Sequence, residues 1–169
     1  DKARIRDFCD DLVWLFDVQG TAKADRILEV FEYAYRRYGV TSFVIDSLAK
    51  CGFAEDDYNA QKAFVDKLSD FARNNSVRMH LVCHSRKGMT EEKPPDKFDI
   101  KGTGAITDMV DNVYIIWRNK PKERDIDELE AKELPITQEL EDGPDAILNC
   151  CKQREGDGEG NYYLWFDKS

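Results

Sequence analysis

"GVTSFVIDSLAKCG", residues Gly39–Gly52, decides how the rest of the chain is read. A glycine opens it, an apolar run ends in Asp46, and a polar stretch follows. A buried parallel strand delivers a carboxylate to the edge of a sheet in this way, and ligands of open α/β folds bind at that edge. A hard oxygen ligand there suits Mg2+, which takes one or two carboxylates and fills its shell with waters and phosphates. A loop or helix-capping aspartate gives the same short pattern. The phosphate-cradling loop G-x-x-x-x-G-K-[ST] is absent. None of the ten glycines stands five positions from another.

Elements extend from this strand in both directions. Upstream, Ile27, Val30, Phe31 and Ala34 recur at helical spacing, and Gly39 is a natural stop. Further upstream "LVWLFDV" (Leu12–Val18) predicts a short apolar strand. Downstream, Ala60, Phe64, Leu68 and Phe71 mark a second amphipathic helix, and "VRMHLVCH" (Val77–His84) a second strand. A long polar loop leads to "AITDMVD", read as one or two helical turns, and then to the strand "NVYIIWR". "AILNCCKQR" and "NYYLWFD" are strands around the turn "EGDGEG". Strands alternate with helices early and form hairpins late. That order predicts an α/β fold whose early strands are parallel and joined by right-handed crossovers. Residues 119–145 are charged and poor in aromatics, and are expected to be a surface insertion or partly disordered.

The chain has 169 residues, enough for one domain with a real core. Apolar residues make up 41%, which argues against global disorder. A net charge of −9 argues against a surface coated in nucleic acid, though not against a local basic loop. Five cysteines without C-x-x-C spacing read as free thiols of a reducing compartment. Two histidines, His80 and His84, argue against a structural zinc site. No apolar run approaches the roughly 20 residues that span a bilayer, and no signal peptide is visible. The opening "DKARIRDFCDD" has no initiator methionine and reads like the interior of a longer protein.

Several residues carry possible chemistry. His84 closes its strand, so it stands near Asp46 if the two strands are neighbours, where a polar group meets a terminal phosphate. The following loop holds Arg86, Lys87, Lys93, Lys97 and Lys101, mixed with acidic residues. Lysines on such a loop contact successive phosphates of a strand without reading its sequence. "KGTGAITD" places two glycines before a short helix, a weak anion signal by itself. Lys152 and Arg154 stand two residues apart at a strand end, and so share one face. Such a pair aimed outwards completes a phosphate site on a neighbouring subunit, as an arginine finger does. Ordinary surface cations before a turn have the same spacing.

The order of these segments is more specific than any one of them. "FVIDSL", "HLVCHSRK", "DIKGTGAITDMVDNVYIIWRN" and "LNCCKQREGDGEGNYYLWFD" together resemble the later motifs of hexameric replicative helicases. This is the DnaB-like family, with the phage T7-type primase-helicases and the mitochondrial helicase Twinkle. The resemblance covers nearly the whole chain.

It implies the C-terminal part of a RecA-like core, residues 1–169, truncated before the phosphate-loop strand and ending in a β-hairpin. It further implies an ATP- or other NTP-hydrolysing enzyme with Mg2+, assembled as a hexameric ring around single-stranded DNA. A primase domain is a possible companion, and a cytoplasmic setting in a bacterial or phage-infected cell is expected. By resemblance Asp46 is the magnesium-associated aspartate and His84 the γ-phosphate sensor. Ser85–Asp99 becomes a central-channel DNA loop with Arg86 and Lys87 as contacts. Lys152 and Arg154 become the element that reaches the adjacent subunit, with Arg154 as the finger. The phosphate loop and the catalytic glutamate that the family places before these motifs are missing, so this chain alone is expected to be inactive. A RecA/RadA-type recombinase ATPase and a non-enzymatic DNA- or partner-binding module are the alternatives.

Overall fold

The computed structural model describes residues 2–10, 12–18, 20, 22–54, 56–84, 92–95, 99 and 104–166. Its first half is a βαβ unit built as the periodicity requires. Helix α2 (Ala24–Tyr38) buries Ile27 and Phe31. It stops where Gly39 adopts φ +68°, so that the glycine N–H caps the carbonyls of Ala34 and Tyr35. A residue with a Cβ pays for that left-handed conformation, and glycine does not. Strand β1 (Ser42–Asp46) alternates, with Phe43 and Ile45 buried and Ser42, Val44 and Asp46 exposed. Helix α3 (Tyr58–Asn75) starts at Asp57, whose carboxylate accepts the Ala60 N–H at 3.0 Å. It buries Gln61, Phe64, Val65 and Leu68. The chain then returns as β2 (Arg78–Val82), parallel to β1 in a register running from Ser42↔Arg78 to Asp46↔Val82.

α2 and α3 pack on one face of this two-stranded sheet. Phe31 and Phe43 lie 4.6 Å apart between ring centroids, and Phe71 meets Phe43 edge-on at 5.5 Å. Each apolar side chain fully buried here contributes about 1.5–3 kcal/mol relative to exposure. The opposite face is open, with Val44 62% exposed.

The second half is an antiparallel sheet in the order β3-β4-β5, from β3 (Asn112–Arg118), β4 (Ala146–Gln153) and β5 (Gly160–Leu164). Helix α4 (Gly104–Met109) precedes β3, and its Ile106 joins the core of the first half. Val113, Ile115 and Trp117 are the buried face of β3. The molecule is thus mixed α/β, with a parallel pair early and a β4–β5 hairpin late.

Two regions differ from the sequence expectation. Leu12–Val18 forms no strand, and a helix, α1 (Lys2–Cys9), precedes it. Leu12, Val13 and Leu15 are exposed. An apolar run becomes a strand only where a neighbour pairs its N–H and C=O groups. Here the N–H groups of Leu12 and Val13 instead close α1 on the Cys9 carbonyl. Residues 119–145 hold two helices, α5 (Lys120–Ala131) and α6 (Gln138–Asp142). Asn119 caps α5 and Thr137 caps α6 through their side-chain oxygens. Lys122, only 7% exposed, donates from Nζ to the carbonyls of Glu141 (3.0 Å) and Gly143 and to Asp145 Oδ1 (2.7 Å). The other Asp145 oxygen accepts the Phe166 N–H at 2.8 Å. These polar bonds order a segment whose composition offers little apolar surface to bury.

Candidate functional site

The parallel register carries the end of β2 to the end of β1. Asp46 pairs with Val82, and His84 follows two residues later. Asp46 is exposed, and its carboxylate has no partner among the described residues. Ser47 is buried at 3%, joined to Asp46 by a cis peptide bond. Its Oγ stands 3.3 Å from His84 Nε2. This contact fixes one nitrogen of the imidazole, while Nδ1 has no partner among the described residues.

The floor of this strand-end site is apolar and neutral. The Cys51 thiol donates to the Ser47 carbonyl at 3.6 Å. Burial, with a smaller contribution from Cys83, pushes the Cys51 thiol up to about 11. Burial does the same to Cys83, also to about 11. Both therefore stay protonated at neutral pH, which argues against a role as nucleophile. None of the five cysteines forms a disulfide. Among the described residues no group of three or more His, Cys, Asp or Glu side chains is placed to hold a metal. Asp46 offers one exposed carboxylate at this strand end.

Lys152 and Arg154 meet at a different place, the C-terminal end of α4. Lys152 Nζ donates to the carbonyls of Thr107 and Asp108, each at 2.9 Å. Arg154 Nη2 donates to the same Asp108 carbonyl at 3.3 Å, and Nη1 to Asp111 Oδ1 at 2.6 Å. The last carbonyls of a helix have no partner within it and carry partial negative charge, which draws cations. The pair does share one face, as its spacing predicts. In this chain that face staples the end of β4 to α4, with Arg154 paired to Asp111.

Of the loop cations, Lys93 is exposed and forms no ion pair among the described residues. Arg86, Lys87, Lys97 and Lys101 lie outside the described residues. Glu92, beside Lys93, is gripped by both outer nitrogens of Arg124, at 2.9 and 3.1 Å. Its hydrogen bond and charge hold the Glu92 carboxyl below the usual value.

Sequence reasoning missed Ser47, Asp108, Asp111 and Arg124. Ser47 directly follows the strand-end aspartate, the one local signal available. The others have no signal, because each acts on a residue distant in sequence.

No family model matches this chain. The chain is similar to a DNA helicase/primase of Enterobacteria phage T3. The two are 26% identical over 121 residues, covering 67% of this chain and 21% of the relative. The chain thus spans about a fifth of the length of this curated relative. The match supports a relationship to phage primase-helicases. No helix among the described residues is long and apolar enough to cross a membrane.

Proposed function

We propose that this chain is part of a DnaB-like, RecA-fold NTP-hydrolysing DNA helicase that moves along single-stranded DNA. The observation that carries the reading is that the parallel register brings the end of β2 beside Asp46, with His84 two residues beyond it and in contact with Ser47, the residue after Asp46. The similarity to a phage DNA helicase/primase supports it.

Asp46 would hold Mg2+, alone among this chain's described side chains, with phosphate oxygens and waters as the other ligands. The ion would neutralise charge on the transferred phosphoryl group. His84 would meet the γ-phosphate with its ring oriented by the Ser47 hydroxyl. Because Ser85, Arg86 and Lys87 follow His84 directly in the sequence, a change at the phosphate would be passed to that stretch and so to DNA. Arg154 would act in trans on charge developing in the transition state, exchanging Asp111 for phosphate oxygens. Lys152 would remain on α4 and hold the strand that aims Arg154. A hexameric ring, ATP as the usual nucleotide and an associated primase domain complete the proposal, in the cytoplasm of a bacterial or phage-infected cell.

These 169 residues contain no phosphate loop, so the chain alone is expected not to turn over ATP. Turnover by the purified chain, abolished by Asp46→Ala, would overturn that expectation. The helicase reading itself is tested on the intact parent protein with a forked duplex. Mg2+- and ATP-dependent unwinding that disappears in Asp46→Asn and Arg154→Ala is the expected result. Unwinding that both variants retain would sink these assignments, and a parent without NTP-dependent unwinding would sink the reading.

A further inference from the structure

The helices between β3 and β4 have no part in the mechanism above, yet one of them spans two distant places in the chain. Lys122 anchors α5 to the start of β4, buried against the carbonyls of Glu141 and Gly143 and the carboxylate of Asp145. Two residues later, Arg124 grips Glu92 in a two-bond fork, at 2.9 and 3.1 Å. Residues two apart on a helix point about 200° apart, that is, to opposite sides. One side of α5 therefore faces the body of the molecule and the other faces the segment after β2. A planar guanidinium bonded to both carboxylate oxygens sets orientation as well as distance. Glu92 is followed by Lys93, which is exposed, and by Pro94 and a buried Pro95. The two prolines narrow the conformations open to this segment. Its position is thus set by Pro95 on one side and by Arg124 on the other.

We propose that α5 is a strut for residues 92–95, and that Arg124 is a positioning residue that holds Lys93 out to the phosphates of single-stranded nucleic acid. The phosphate half of this inference rests on the helicase reading, and the strut half stands on the geometry alone. Arg124 acts through Glu92: one N–H of each outer nitrogen is engaged there, at 2.9 and 3.1 Å, and the fork sets the orientation of that carboxylate. Lys122 makes the strut stiff: three oxygens hold its ammonium, so α5 does not swing with the segment that it supports.

Two measurements on the 169-residue chain decide the two halves separately. The first is 15N relaxation of the Lys93 amide. In the wild type its order parameter should lie near the rigid-backbone value, about 0.85, and fall below about 0.6 in Arg124→Ala and in Glu92→Ala. The charge-exchanged double variant, Arg124→Glu with Glu92→Arg, should recover most of the loss, while amides of β4 stay unchanged throughout. An unchanged Lys93 amide in both single variants, or no recovery in the exchanged pair, overturns the strut.

The second measurement is binding of a labelled oligo-dT at low salt. Arg124→Ala and Lys93→Ala should each weaken binding about two- to fivefold, and the double variant should be no weaker than Lys93→Ala. Losses that multiply would make Arg124 a phosphate contact in its own right and overturn its positioning role. If the wild type does not bind oligo-dT while the relaxation behaves as expected, the phosphate assignment of Lys93 falls, and the strut is upheld.

Discussion

The two halves of this molecule are held together by different forces. The first half, β1-β2 under α2 and α3, is an apolar construction. Phe31, Phe43, Ile45, Phe64, Val65 and Leu68 fill it, and the candidate carboxylate, Asp46, is exposed at the end of β1. The second half relies on directed polar bonds. Lys122 and Asp145 fasten the inserted helices, and Lys152 and Arg154 staple β4 to α4. Apolar packing tolerates variation in its members as long as volume is kept. A polar clasp depends on particular atoms, and removing one partner strands the others. The first half is therefore suited to present one exposed group on a firm base. The second holds its elements together through cationic side chains on carbonyls and carboxylates.

That contrast can be broken most severely in the apolar half. Phe64, 2% exposed, should cost about 3–5 kcal/mol when replaced by alanine. Urea unfolding followed by far-UV circular dichroism checks it. A loss under about 1 kcal/mol would mean that the first core is not what holds the chain together.

A smaller effect is expected from Lys122→Met, which removes the ion pair to Asp145 and the donor to two carbonyls. Asp145 keeps 15% side-chain exposure, so water relieves part of the penalty, and about 2–3 kcal/mol is expected. Adding Asp145→Asn should return part of it, since the largely buried charge is then removed together with its counter-ion. If the second substitution deepens the loss instead, the Phe166 N–H bond to Asp145 matters more than the ion pair.

The smallest effect is the most specific and depends on pH. Arg124 lowers the Glu92 carboxyl from its ordinary value of 4.5. A depressed folded value means that the charged form is favoured in the native state. The contact is therefore complete well above pH 4.5 and is lost as the pH falls through the lowered value. Both side chains are exposed, so global stability should barely respond. A proton titration of the Glu92 side chain should show a midpoint below 4.5 that returns to the ordinary value in Arg124→Ala. An unshifted midpoint in the wild type would mean that the fork does not persist in solution.

The sequence by itself determined the pieces of the first half and their order. The stripes of α2 and α3, the alternation of β1 and the glycine stop at Gly39 are local signals, repeated every few residues by the geometry of burial. Asp46 and His84 were legible for the same reason: each closes an apolar run. The β4–β5 hairpin was legible from its turn. Only the tertiary structure decided which strand lies beside which, and so that Ser47 meets His84 across 37 residues of chain. It alone placed Lys152 and Arg154 on the end of α4 and Arg124 on Glu92, 32 residues away. It also left Leu12–Val18 without a strand, although the run is as apolar as those that became strands. Periodicity records which side of an element is buried. It does not record a partner, because a hydrogen bond or an ion pair is made between two particular atoms that only the fold brings within reach.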